Sequence, residues 1–253
     1  MTNPARPAPP PRPAPASPSA QDRTVAWFVH VYTAAGVLAA FFGTLAAVDG
    51  RYRDSFLWMI AATLVDATDG VFARYARVKD VLPGFDGARL DDIVDYLTFV
   101  FLPVLLLYSA GDLPAAGGAT VASVVLLSSA YGFGSTDAKT SDHFFTGFPS
   151  YWNIVALYLH VAGLAPWINA MILLALSALV FVRIGYVYPS RTPVLRTFTV
   201  LAGVAWGVVL VLIAMALPER RTGLLAISLV YPAYYLVLSL ALQVRRPAVP
   251  VRL

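Results

Sequence analysis

The sequence predicts an all-α, polytopic integral-membrane helical bundle of about eight transmembrane helices. Three observations carry that prediction. Of 253 residues, 58% are hydrophobic and only 13% are charged, about half the ~25% charge of an ordinary soluble protein. Mean hydropathy is +0.70. The apolar residues are also gathered into blocks of about 20, each long enough at ~1.5 Å per residue to cross ~30 Å of hydrocarbon. The formal charge of +4 comes from basic residues scattered singly between those blocks. Positive-inside placement accounts for them, so no nucleic-acid partner is predicted. The absence of Cys excludes disulfides, thiolate zinc sites, iron–sulfur clusters and Cys nucleophiles.

Residues 1–23 are rich in Pro, Ala and Ser without an apolar run, a composition that favours a disordered, solvated tail. The first apolar stretch, 25–48, is far longer than a signal-peptide core of ~7–15 residues, so it is expected to stay as an anchor. Further blocks lie near 55–76, 90–110, 116–135, 150–164, 166–187, 193–216 and 223–243. The transmembrane catalytic domain is therefore expected over 24–245, with a short cytosolic C-terminal tail at 246–253. Placing the N-terminus in the cytosol puts fourteen Lys and Arg inside and only Arg51, Arg53, Arg220 and Arg221 outside. This is the asymmetry that sets orientation. An even number of spans returns the C-terminus to the cytosol. Gly36, Ala40, Gly43 and Ala47 recur at about four-residue spacing on the first span; such a stripe lets helices pack closely, within one chain or in a homodimer.

The second span carries Asp66 and Asp69, and the third begins with Asp91 and Asp95. An ionised carboxylate in hydrocarbon costs about 2.5–3.5 kcal/mol on insertion scales, so four require a compensating charge or access to solvent. At ~100° per residue Asp66 and Asp69 share one helix face, and Asp91 and Asp95 lie one turn apart. The two spans run in opposite directions, so all four carboxylates can converge near the cytosolic interface. Hard carboxylate oxygens without Cys or clustered His suit Mg2+ or Mn2+, and four of them suggest two ions. Gly70 and Ala73 leave room for close approach to the backbone, while Arg74 offers a planar fork for phosphate.

Asp66-Ala-Thr-Asp69-Gly70-Val-Phe-Ala73-Arg74, followed by Gly87-Ala-Arg-Leu-Asp91-Asp-Ile-Val-Asp95, resembles the signature of the CDP-alcohol phosphotransferases. Twelve residues separate Arg74 from Gly87, more than in most of that family. This longer spacing, the eight blocks and the KTSDHFFTGFPSYWNIVALYL segment resemble its bacterial phosphatidylcholine synthase branch. The likeness runs over about 24–245. It implies transfer of the phosphatidyl group of CDP-diacylglycerol to choline with release of CMP, dependent on Mn2+ or Mg2+, at the bacterial inner membrane. By resemblance, Asp66, Asp69, Asp91 and Asp95 would ligate the metals, with Asp95 also the general base. Asp66, Asp69, Gly70, Ala73, Arg74 and Gly87 would hold the cytidine diphosphate.

A quaternary ammonium takes no hydrogen bond, so a choline pocket would use aromatic faces. Tyr96, Phe148, Tyr151 and Trp152 are the candidates, and an interfacial aromatic belt is the alternative for the Phe144–Trp152 stretch. Lys139, Arg183 and Arg191 are candidates for the lipid phosphate or for setting topology. His30 and His160 read as packing residues, and Asn153 as interhelical glue or a substrate contact. Within the enzyme class, another acceptor such as serine, glycerol 3-phosphate or inositol phosphate is the competing reading. From outside it, intramembrane carboxylates also suit an ion carrier, but the Gly and Ala-Arg spacing has no evident use there.

Overall fold

The computed structural model describes residues 18–135, 144–182, 184–187, 192 and 194–244. The elements run α1 (Ala20–Val48), α2 (Tyr52–Tyr75), α3 (Val78–Val81), α4 (Gly87–Asp95), a π-helical segment (Tyr96–Phe101), α5 (Leu102–Ser109), α6 (Gly118–Gly134), β1 (Phe144–Thr146), α7 (Trp152–Ala162), α8 (Pro166–Val180), β2 (Gly185–Val187), α9 (Arg196–Ala216), α10 (Thr222–Ser228) and α11 (Val230–Val244). The protein is helical, as expected, apart from β1 and β2, which pair antiparallel with Phe144 opposite Val187.

The span count is corrected. Among the described residues, four helices have the length and apolarity to cross a membrane: Ala20–Val48, Tyr52–Tyr75, Arg196–Ala216 and Thr222–Val244. Every other block also contains helix, but shorter or interrupted. The third is split by the π-helical segment and opens on the charged residues of α4. The fifth and sixth become α7 and α8, of 11 and 15 residues, about 16 and 22 Å long at ~1.5 Å per residue. Gly163, left-handed at φ 60°, ends α7, and Pro166 opens α8 in the first turn, where its missing N–H costs nothing.

The expected tail boundary also moves. Ser19 caps α1, its hydroxyl accepting from the Asp22 amide while the Asp22 carboxylate accepts from the Ser19 amide. This reciprocal box starts the helix at Ala20, four residues inside the stretch read as tail. The helix is then in place to pack along α2, α4 and α5. A Cβ at Gly36 would overlap Val94 of α4, and one at Gly43 would stand 2.6 Å from Leu102 Cδ2. Gly36, Ala40, Gly43 and Ala47 are buried; the small-residue stripe is used inside the chain.

The twelve residues between Arg74 and Gly87 are not an open loop. Val78 and Val81 of α3 are buried against Ala26 and Val29 of α1, with Ala73, Ala76 and Leu82 packed around them. Burial of two Val side chains is worth roughly 1.5–3 kcal/mol each as an upper figure. The link between the two acidic helices is therefore pinned to α1.

The opposite end of the bundle is closed by paired charges. Arg51 binds Asp49 at 3.1 Å and Asp54 at 2.9 Å. More deeply, His160 of α7 contacts Asp112 at 2.6 Å, both side chains being 11% exposed. The Asn169 amide donates to the Asp112 carbonyl at 2.9 Å, and the His160 ring lies against Tyr52 and Phe56. His160 and Asp112 together thus join α2, α7, α8 and the α5–α6 connection. Asp112→Ala, by removing a buried charge-assisted hydrogen bond, is expected to cost about 2 kcal/mol of stability; a thermal melt in detergent reads this as a lowered midpoint, with Mn2+ binding unchanged.

Candidate active site

The three carboxylates of Asp66, Asp91 and Asp95 each offer an oxygen, and those oxygens all lie within 4.8 Å of one another. Asp66 comes from α2, and Asp91 and Asp95 from α4, one turn apart. All three are half-buried. The donor set is three hard oxygens without a sulfur or imidazole. It suits a hard divalent cation, and the three oxygens are close enough together that the group could hold one ion.

Two features of the fold bring these residues together. The first is the start of α4, where the Asp86 side chain accepts from the Arg89 amide at 3.1 Å and caps the helix. Asp86 thus takes the helix-terminal role, while Asp92, further along the helix, is exposed. The second is the π-helical segment Tyr96–Phe101, which directly follows Asp95. Its wider turn changes the rotational phase between α4 and α5. Leu102, Leu106 and Leu107 of α5 can then be buried in the core while Asp91 and Asp95 face Asp66.

Asp69 stands apart from the three-carboxylate group. It is 6% exposed, and its Oδ2 accepts a 2.8 Å hydrogen bond from the Thr33 hydroxyl of α1. Beside it, Tyr32 and Thr68 share a 2.8 Å hydrogen bond, and the Tyr32 and Phe72 rings meet edge-on at 5.5 Å. Tyr32 and Thr33 went unread in the sequence, since neither is charged and neither belongs to the acidic motif. Their adjacent placement on the helix preceding the motif was the available signal.

The residues expected to cradle a nucleotide divide in two. Gly70 leaves space, its nearest neighbour being Arg74 Nη1, 3.4 Å from where a Cβ would sit. Arg74 is exposed and Ala73 half-buried, the latter packed on the α1–α3 cluster. Gly87 is small for another reason: a Cβ there would stand 2.7 Å from His30 Cε1. The imidazole is buried beside Trp27 and Phe85, with ring centroids 5.8 and 4.4 Å away. His30 is therefore a packing residue, as expected, and it fills the side of Gly87 expected to face a ligand.

The aromatic candidates also separate. Trp152 is 1% exposed, its indole N–H donates to Ser129 at 2.7 Å, and its ring packs edge-on against Phe148 at 5.0 Å. It belongs to the hydrophobic core, packed against Phe148. Phe148 and Tyr151 are half-buried. Tyr96 is half-buried, its hydroxyl donating to the Leu126 carbonyl of α6 at 2.9 Å. Asn153 proves to be interhelical glue: its amide donates to Thr63 at 3.2 Å, one turn before Asp66, tying the start of α7 to the acidic stretch of α2. Lys139, Arg183 and Arg191, expected at a lipid phosphate, lie outside the described residues.

Gly87→Ala forces the His30 ring or the first turn of α4 to move and so disturbs the Asp91–Asp95 face. The expected result is a loss of Mn2+ affinity larger than the fall in melting midpoint, read by titrating purified protein with Mn2+ under electron paramagnetic resonance; His30→Ala in the same chain should restore part of that affinity.

None of the protein-family models matches the chain. Comparison with individual proteins is informative. A phosphatidylcholine synthase of Pseudomonas aeruginosa is 36% identical over 214 residues, 85% of this chain and 90% of that protein. The phosphatidylcholine synthase of Legionella pneumophila is 39% identical over 222 residues, 85% of this chain and 87% of its own. That of Rhizobium johnstonii is 34% identical over 221 residues, covering 86% and 90%. Likeness of this degree, sustained over most of both chains, means that the chain belongs to the phosphatidylcholine synthase family.

Proposed function

We propose that this chain transfers the phosphatidyl group of CDP-diacylglycerol to choline and releases CMP. The observation that carries the reading is the convergence of Asp66 with Asp91 and Asp95 from a second helix, in a chain whose relatives are named phosphatidylcholine synthases. Mn2+ or Mg2+ at these carboxylates, as two ions when Asp69 contributes, would supply charge neutralisation at the diphosphate and its leaving group.

The rest of the chemistry falls to the protein. Asp95 takes the proton of the choline hydroxyl as its oxygen forms a bond to the phosphatidyl phosphorus, and the bond from that phosphorus to the bridging oxygen breaks, with the electron pair leaving on CMP. No covalent enzyme intermediate is required. Arg74 and the open backbone at Gly70 bind the cytidine diphosphate, with Ala73 and Gly87 shaping the backbone around it. Phe148, Tyr151 and Tyr96 offer the aromatic faces for the trimethylammonium group, each worth about 0.5–2 kcal/mol, and Trp152 supports Phe148 from the core. Lys139, Arg183 and Arg191 are proposed for the lipid phosphate.

The same reading places the catalytic domain, from the start of α1 at Ala20 to about 245, in the bacterial inner membrane, with both termini and the acidic site on the cytosolic side. The distribution of Lys and Arg supports that orientation. CDP-diacylglycerol then leaves its tails in lipid while choline arrives from water.

The test is choline incorporation into chloroform-soluble lipid together with CMP release, using purified protein, CDP-diacylglycerol and Mn2+. Both products are expected from the wild type, and both should vanish with EDTA or in Asp95→Asn, which removes the base; removal of a general base alone typically costs about 10^2–10^4-fold. CMP release with serine, glycerol 3-phosphate or inositol phosphate but not with choline would overturn the acceptor assignment.

A further inference from the structure

We propose that Thr33, on the helix preceding the acidic motif, is a positioning residue of the metal site that acts through Asp69; the inference rests on the metal-dependent reading given above. Thr33 is buried, and its hydroxyl has two oxygens within reach. Asp69 Oδ2 lies at 2.8 Å and the Val29 carbonyl at 3.4 Å. A hydroxyl has one proton, and the shorter contact is to a carboxylate, so the proton points to Asp69.

The consequence depends on where Asp69 sits. It is one helical turn from Asp66, about 60° around α2, and Asp66 already stands with Asp91 and Asp95. Asp69 is therefore the α2 carboxylate next in line for that group, but it lies outside it. A buried carboxylate held by one directed hydrogen bond keeps a defined orientation. Thr33 fixes one oxygen of Asp69 toward α1 and so determines where the other oxygen is presented. Outer partners of this kind orient metal-ligating carboxylates, and their loss typically weakens metal binding by about 10–100-fold.

The placement of Thr33 is itself well determined. Three residues before it on α1, His30 packs on Gly87; three after it, Gly36 packs on Val94. The same face of α1 thus touches the start and the end of α4 while Thr33 reaches α2. Tyr32 provides the internal control: its hydroxyl contacts Thr68 at 2.8 Å, joining the same two helices at the same level without touching a carboxylate.

The experiment titrates full-length protein in detergent with Mn2+, following free Mn2+ by electron paramagnetic resonance, and measures CMP release across the same metal range. Thr33→Val is expected to weaken Mn2+ binding about tenfold and to raise the half-saturating Mn2+ for CMP release equally, leaving kcat at saturating Mn2+ within about twofold. Thr33→Ser should return both to wild type, and Tyr32→Phe should leave Mn2+ binding unchanged. In an Asp69→Asn background Thr33→Ala should add nothing further, because the two residues act as a unit. Wild-type Mn2+ affinity in folded Thr33→Val, an additive loss in the Asp69→Asn background, or an equal loss in Tyr32→Phe would overturn the proposal. If wild type makes no product with choline, yet Thr33→Val still weakens Mn2+ binding, the acceptor reading falls and the role of Thr33 stands.

Discussion

The constraint on which the structure depends is the cost of gathering carboxylates within an apolar bundle. One oxygen from each of three acidic side chains lies within 4.8 Å of the others, a separation at which two like unit charges repel by about 3 kcal/mol at an effective dielectric near 20. A single helix cannot make this arrangement, since its own carboxylates can only line up along one stripe. It takes two helices held at a fixed approach and rotation, so that Asp66 meets Asp91 and Asp95. Much of the architecture of the first half of the chain can be understood as the apparatus that holds them there.

That apparatus centres on α1. Its small residues let it lie close to α2, α4 and α5 at once, so it acts as a common wall for the two acidic helices. The contacts change in kind along its length. Near Ala26 and Val29 it buries the valines of α3 and so anchors the link between the acidic helices. At His30 and Gly36 it meets α4 by close steric fit, and at Tyr32 and Thr33 it meets α2 by hydrogen bonds. Toward Gly43 it reaches Leu102, below the π-helical segment. The Asp-bearing α4 is thereby fixed above and below the place where the helical phase changes. Rigid support of this sort is what a polar site needs, because a misplacement of about 1 Å weakens every interaction directed at a bound phosphate.

The convergence of the acidic residues was legible in the sequence because charge in an apolar helix is conspicuous and helical spacing is a fixed ruler. Asp66, Asp91 and Asp95 meet as their positions imply. What remained hidden depends on neutral contacts between segments distant in sequence: Thr33 to Asp69, His30 to Gly87, Asn153 to Thr63. Such partners leave no local pattern. The span count failed for a different reason. Hydropathy marks apolar blocks but not the breaks inside them: the π-helical segment interrupts the third block, and α7 and α8 run only 11 and 15 residues. A window of aromatic residues likewise does not tell which ring turns inward, as Trp152 does. The capping box at Ser19 and Asp22 was readable from local spacing and sets the true start of α1.

The two ends of the bundle use the same residue type in opposed ways, and this contrast is informative about function. At one end each described acidic cluster has its own cation or imidazole: Asp49 and Asp54 with Arg51, Asp112 with His160, and Glu219 with Arg221. Such pairs satisfy charge locally, and a partner molecule would only disturb them. At the other end three carboxylates from two helices are directed at one point, with a fourth fastened beside them by Thr33. On the proposed reading a multivalent cation and a diphosphate would meet there, the ion balancing the carboxylates and the phosphates balancing the ion. A fold that invests its closest helix packing in maintaining that geometry is one whose acidic end is built for chemistry and whose opposite end is built for cohesion.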